Sequence, residues 1–403
     1  MLDPARPALG ETAAVARRHA AETSGSTEEL RVLAVPYRVC PIGAHIDHQG
    51  GPVLGTAIDA FTVLAFAPSG GPECVVTSAN YPGEARFDVG RVAPAEHEGF
   101  ARYAAAAAAV LGSDLPARPR GLVGAVAGAL PGGGLSSSAS VLLAYLTAIA
   151  DVNDLALDPR DLVDRTRRAE NEFVGVKSGI LDPASIVGSR RDHLVAIDTQ
   201  RSEWQSVPPP VDRRGAATFI VAFTGVERNL ASTGFNDRVE QCHRAARALG
   251  MRAGVTGAGR LGDLPEATLA ELLEELPDPE RRRARHFAEE RGRVRRGIEA
   301  WARGDLTAFG ALMSDSCRSS IENFEVGSPE LVRLQEIFLA TPGILGSRFS
   351  GAGFGGCAIA LAPTARAESC RERVAEAFLA QFPERADRAR FFLVASEDGP
   401  RWL

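Results

Sequence analysis

The chain has 403 residues, of which 45% are hydrophobic and 24% charged, and its net charge is -6; this is the balance of a globular protein too long for one ordinary core, so two domains are expected. The charge argues against nucleic acid or an anionic membrane as a partner. No apolar run reaches the roughly 20 residues of a membrane span, no signal-like segment opens the chain, and Cys40, Cys74, Cys242, Cys317, Cys357 and Cys370 form no C-x-x-C pair, so structural zinc and a disulfide framework are set aside and a cytoplasmic protein is expected.

Residues 7–30 mix alanine with charge and read as a surface helix. Arg31-Val-Leu-Ala-Val-Pro36 is an apolar strand. Its sequel, Tyr37-Arg-Val-Cys-Pro-Ile-Gly-Ala-His-Ile-Asp-His-Gln-Gly-Gly51, sets Arg38, His45 and Asp47 among small and apolar residues. Polar groups at the edge of a core need partners, and a bound sugar or a second protein element would supply them; His48 reads as an ordinary satisfied histidine. Strands are expected at 53–68, 74–77 and 85–89, a packing helix at 101–110, and a strand from Gly121 that delivers the chain into Leu130-Pro-Gly-Gly-Gly-Leu-Ser-Ser-Ser-Ala-Ser140. Three glycines let amides approach an anion closely, and the helix that follows leaves N–H groups unpaired in its first turn. That strand–loop–helix order suits a phosphate. No lysine follows the glycines, so an ordinary P-loop is excluded.

An amphipathic helix over 161–173 carries Glu170. Beyond it, Gly179-Ile-Leu-Asp-Pro-Ala-Ser185 places Asp182 either as a helix N-cap or as a functional carboxylate, ahead of a strand at 193–198. Residues 204–215, with Pro208-Pro-Pro210, read as the linker. A strand at 218–223, a long helix from Asn236 and mostly helical structure over 262–315 follow, with Arg281-Arg-Arg-Ala-Arg285 as a solvated face. Phe349-Ser-Gly-Ala-Gly-Phe-Gly-Gly-Cys-Ala-Ile-Ala-Leu361 is a glycine turn entering a strand. No helix comes after it, so a dinucleotide fingerprint fails; close approach of backbone to another segment or to a nucleotide explains it better.

In order, Arg38–Gly51, Pro131–Ser140 and Ser350–Cys357 resemble the sugar signature, ATP loop and third motif of the GHMP kinases, galactokinase branch. Glu170-Asn-Glu-Phe-Val-Gly, Gly179-Ile-Leu-Asp182, Asn236-x-Arg238 and Ser319-Ser-Ile-Glu-Asn-Phe-Glu325 also match. The resemblance implies an α+β fold of two domains, 1–203 and 204–403, with the active site in the cleft between them. It further implies a sugar 1-kinase that takes ATP and Mg2+ as well as its sugar. Asp182 would remove the proton of the anomeric hydroxyl, with Arg38 beside it facing the transferring phosphoryl group. Gly132, Gly133, Gly134, Leu135, Ser136, Ser137 and Ser138 would wrap the ATP phosphates, and Ser138 and Glu170 would complete the metal's coordination. Asp47 and His45, with Ala44, Gly179 and Phe235, would line the sugar.

Ala44 departs from galactokinases, which carry glutamate there to bond the 6-hydroxyl. A retained glutamate about 4 Å from a C6 carboxylate would repel it by roughly 4 kcal/mol at an effective dielectric of 20. Alanine removes that penalty, and the stretch Pro36–Gly51 is similar to the signature of plant galacturonokinases. The expected substrate is therefore D-galacturonate, with galactose the near alternative and a non-catalytic sugar sensor the remote one. Pro183 and Phe235 depart from the branch's usual Gln and Tyr. Arg190 and Arg191 stand as candidates for a C6 carboxylate, and nothing in the sequence assigns either.

Overall fold

In the computed structural model, which describes residues 7–24, 30–129, 134–226 and 234–403, strand β1 (Arg31–Ile42) is buried along its length after Arg31. Both of its faces are covered. Val32 and Ala34 pack under helix α1 (Leu9–Ser24), and Leu33 and Val35 pack under α2 (Gly99–Leu111) and α3 (Ser137–Val152). With side chains alternating between two buried faces, such a strand shows a continuous apolar run in place of alternation.

The first sheet orders β12 (Arg401–Trp402), β1, β2 (Val53–Pro68), β5 (Leu122–Gly128), β3 (Glu73–Ser78) and β4 (Glu84–Asp88), with β3 and β5 parallel. The opening residues of β2, Val53, Leu54 and Gly55, pair instead with β6 (Leu194–Asp198), which pairs with β7 (Glu203–Val207). The β1–β2 register slips at Pro36/Tyr37, where proline has no N–H to give a ladder. Beyond the slip, β1 runs on to Ile42 and carries Arg38 within it.

Three expectations need correcting. The linker does not begin at 204, because Trp204–Val207 completes a strand of the first sheet; the first sheet thus holds strands from both sides of 203/204, β12 included. Within Arg281–Arg285, expected as a solvated face, Arg283 is 1% exposed and donates to Glu325 and to the Asn323 carbonyl. The helix of 161–173 is α4 (Pro159–Arg168), opened by an Asp158–Asp161 capping box, followed by a π-helical turn, Ala169–Val174. That extra-wide turn carries Glu170.

The second sheet orders β11 (Arg390–Val394), β8 (Ala217–Phe223), β10 (Cys357–Pro363) and β9 (Gly346–Phe349), all antiparallel. One face packs on α10 (Pro329–Ala340) and α11 (Thr364–Gln381). The other meets α8 (Glu280–Ala302) and α9 (Leu306–Glu322), in a core shared with Tyr37, Val39 and Ile42 of β1. The α+β architecture therefore joins its two sheets beneath the end of β1. Among the described residues no helix is long and apolar enough to cross a membrane, and the six cysteines are buried and free.

Candidate active site

The end of β1, the start of α3 and the start of α5 (Leu181–Gly188) converge. Arg38, 3% exposed, donates from Nε to Asp182 Oδ1 at 2.8 Å and approaches it from Nη2 at 2.7 Å. Ser136 Oγ donates to Asp182 Oδ2. Ile180 holds the N-cap position of α5 without a side-chain cap, and Asp182 lies one residue inside the helix. Of the two readings left open by the sequence, capping is excluded: the carboxylate turns to Arg38 and the serine loop, and stays 24% exposed.

Ser136 is in the left-handed region, φ 59°, at the N-cap of α3, and Arg38 N–H donates to the Leu135 carbonyl at 3.1 Å. The loop's exit is thus fixed to β1. The first turn of α3 starts at the same place, a setting that favours anions. Gly132 and Gly133 lie outside the described residues. Gly134, φ +79°, meets the third motif: a Cβ there would lie 2.7 Å from the Ser350 carbonyl oxygen, and one on Gly351 2.9 Å from that of Gly134. Arg38 Nη1 adds bonds to the Gly134 carbonyl at 3.2 Å and to Ser350 Oγ at 3.4 Å. The glycines of the third motif therefore serve backbone-to-backbone approach across the two sheets.

Glu170 is 5% exposed, and its carboxylate accepts from Ser138 Oγ at 3.0 Å and Ser178 Oγ at 2.7 Å. Burial, and then the charge of Asp182, push it up to about 7 despite those bonds. Asp47 accepts from Leu181 N at 3.3 Å, and burial followed by Asp182 raises it to about 6. A Cβ on Gly179 would lie 2.4 Å from Asp47 Oδ2, so only glycine lets the lead-in to α5 pass the sugar signature. Three carboxylates thus share a small region in which Arg38 pairs with one. A hard cation with oxygen ligands suits such a surplus. Among the described residues no group of three or more His, Cys, Asp or Glu is placed to hold a metal ion.

His45, at φ 67°, stacks on Phe324 with centroids 4.5 Å apart, and its Nε2 is buried without a bonded partner. Phe235, the first residue of α6 (Phe235–Ala253), lies 6.4 Å from His45 and edge-on to His48 at 6.0 Å. Burial is the main cause holding His45 well below its usual range and His48 down to about 3, so both are neutral. Ala44 is buried, and its carbonyl faces His286 Nε2 at 3.0 Å. Phe324, Ser178 and Ser350 were missed as individual residues, although Phe324 and Ser350 lie in stretches whose pattern had been noticed. Ser178 gave no signal. Arg190 and Arg191 are exposed, and Arg191 pairs with Glu397 at 2.8 Å, away from this cluster.

Residues 102–189 match the GHMP kinases N terminal domain, 298–380 the GHMP kinases C terminal domain and 18–68 the galactokinase galactose-binding signature. A galacturonokinase of Arabidopsis thaliana is 35% identical over 393 residues, covering 91% of each chain. A galactokinase of Homo sapiens is 34% identical over 410 residues, covering 99% of this chain and 98% of its own. The structure of Lactococcus lactis galactokinase complexed with galactose superposes with a TM-score of 0.86 at 27% identity, covering 97% of this chain and 99% of that one.

Proposed function

The chain belongs to the GHMP kinases, in their galactokinase branch, and from that premise we propose that this sugar 1-kinase phosphorylates D-galacturonate at its anomeric hydroxyl, giving galacturonate 1-phosphate and ADP. Ala44 carries the choice of acid over neutral sugar. Its buried methyl group brings neither the hydrogen-bond acceptor nor the negative charge of a glutamate to the C6 end of the pocket.

In this reading Asp182 Oδ2 accepts the proton of the C1 hydroxyl as that oxygen attacks the γ-phosphorus of ATP, and the bond to the bridging oxygen of ADP breaks. A carboxylate oxygen can accept more than one hydrogen bond, so the Ser136 hydroxyl and the sugar share Oδ2. Such a base contributes about 10²–10⁴-fold. Arg38 orients the carboxylate and faces the phosphoryl group; phosphoryl transfer depends chiefly on positioning and charge neutralisation. Residues 132–138 and the α3 amides hold the triphosphate. Ser138 and Glu170 would hold Mg2+, which supplies neutralisation of phosphate charge. Asp47, beside Gly179, bonds sugar hydroxyls, and His45 and Phe235 wall the ring.

A steady-state comparison of galacturonate with galactose, with the product identified as a 1-phosphate by phosphorus NMR, tests the reading. The expected kcat/KM favours galacturonate at least about tenfold; a preference for galactose overturns the choice of substrate and leaves a galactokinase.

A further inference from the structure

The turn that follows β1 is held, residue by residue, from the far half of the chain, by groups that the mechanism above does not use. Gly43 N–H donates to Glu290 Oε1 at 2.6 Å. The Ala44 carbonyl stands 3.0 Å from His286 Nε2, and the His45 ring stacks on Phe324 with the planes 9° apart. His286, Glu290 and Val294 recur at every fourth position of α8 and so share one face of that helix, and Val294 joins the core of Val39 and Ile42 in β1. Ser319 lies on α9 and Phe324 just past its end. The stretch Ser319–Glu325, which the mechanism leaves without a role, thus packs against the sugar signature.

The bonds fix which way each group faces. A carbonyl oxygen only accepts, so His286 Nε2 carries the ring's proton, and burial, which lowers the pKa of His286, leaves Nδ1 bare. Nδ1 therefore accepts from the Ser319 hydroxyl at 3.0 Å, while Ser319 Oγ accepts from Asn323 Nδ2 at 3.1 Å. On the other side of the turn Glu290 is paired with Arg293, whose Nε donates to it at 2.5 Å. His286, Glu290, Ser319 and Phe324 are all buried, and a buried peptide group that loses its partner is costly. What they grip is a strained backbone. His45 has φ 67°, a region that a residue with a side chain keeps only where its surroundings over-determine it. Asp47 follows two positions later, so a relaxed His45 would carry that carboxylate away from Leu181 N and Gly179.

We infer that His286, set in one tautomer by Ser319, is a positioning residue for sugar recognition: by holding the Ala44 carbonyl it keeps His45 in the left-handed region and so places Ala44, His45 and Asp47 around the sugar. This rests on the turn being the sugar's, as in the function proposed above, and not on which sugar it takes. The pocket is then a product of both halves of the chain. The turn after β1 supplies the groups that touch the substrate, and α8 and α9 supply those that fix them.

The test measures KM for the sugar and for MgATP in the wild type, His286→Gln, His286→Leu and Ser319→Ala, with galacturonate and galactose each tried as acceptor. Glutamine reaches as far as Nε2 and donates to the Ala44 carbonyl, whereas leucine has no donor. His286→Leu is expected to raise the KM for the sugar the wild type uses by about thirtyfold and to leave the KM for MgATP within about twofold. His286→Gln should bring the sugar KM back to within about threefold of the wild type. Ser319→Ala frees the ring to turn its bare nitrogen toward the carbonyl and should raise the sugar KM about fivefold. A merely structural histidine would move both KM values together or neither, and either result overturns the inference, as does a glutamine variant no better than leucine. Should His286→Leu fail to fold, Ser319→Ala decides, and an unchanged sugar KM there refutes the role. A wild type that prefers galactose overturns the uronate reading alone, because the His286 series is then read with galactose; a wild type that phosphorylates neither sugar overturns both.

Discussion

Replacing Glu170 with glutamine should move stability and activity in opposite directions. The carboxyl is 5% exposed and close to Asp182, and burial, then that charge, lift it from 4.5 to about 7 against the pull of its two hydroxyl bonds. Each tenfold displacement of a proton equilibrium corresponds to about 1.4 kcal/mol, so ionising Glu170 in the folded protein costs about 3 kcal/mol more than in the unfolded chain. The protonated group's contribution is complete below pH 4.5 and is lost as pH climbs through about 7. Glutamine resembles the protonated acid and keeps an acceptor for Ser138 and a donor for Ser178 Oγ. In EDTA, chemical denaturation should therefore find Glu170→Gln within about 1 kcal/mol of the wild type at pH 5 and more stable by about 2–3 kcal/mol at pH 8. The same variant should lose at least about a hundredfold in kcat/KM for MgATP, because a neutral amide is a poor ligand for a hard dication. A glutamine variant no more stable than the wild type at pH 8 would refute the claim that Glu170 is held in unfavourable surroundings that its ligand relieves.

Asp182→Asn should lower kcat by about 10²–10⁴-fold with little change in the KM for either substrate, and rapid-quench single turnovers would check this; a loss below about threefold would remove Asp182 from the chemistry. Gly134→Ala forces a methyl group to within 2.7 Å of the Ser350 carbonyl at φ +79°, so it should cost about 1–3 kcal/mol of stability and raise the KM for ATP, both read from a melting curve and an ATP titration. Asp47, lifted to about 6, loses its charge as pH falls through that value. The KM for sugar should therefore rise below pH 6 with a break that is missing in Asp47→Asn, and a flat profile in the wild type would contradict its place in the sugar site.

The elements that the sequence declared well are those whose local chemistry and tertiary setting agree. The β1 run, the strand into the glycine loop and the alanine-rich helices fall where periodicity put them. Asp182 and Arg38, 144 residues apart in the chain, were placed together only by the family resemblance and meet in a direct ion pair. Elsewhere tertiary contacts override the local signal. Trp204–Val207 looks like the start of a linker because the prolines follow at once, yet pairing with β6 makes it a strand. The helix of 161–173 ends early because Ala169–Val174 winds as a π-helical turn, on which Glu170 is buried, and nothing in local periodicity marks that change. The departure at Ala44 was legible because it changes a charge, whereas Arg190 and Arg191, the arginines offered for a C6 carboxylate, are exposed, and Arg191 pairs with Glu397.

A crystal structure of the protein with galacturonate, Mg2+ and a non-hydrolysable ATP analogue would examine the shared geometry directly. The C1 oxygen is expected within about 3 Å of Asp182 Oδ2 and in line with the γ-phosphorus, with the C6 carboxylate at the Ala44 turn. A sugar seated with C1 away from Asp182, or an Asp182 still closed on Ser136 with the ring bound elsewhere, would contradict it.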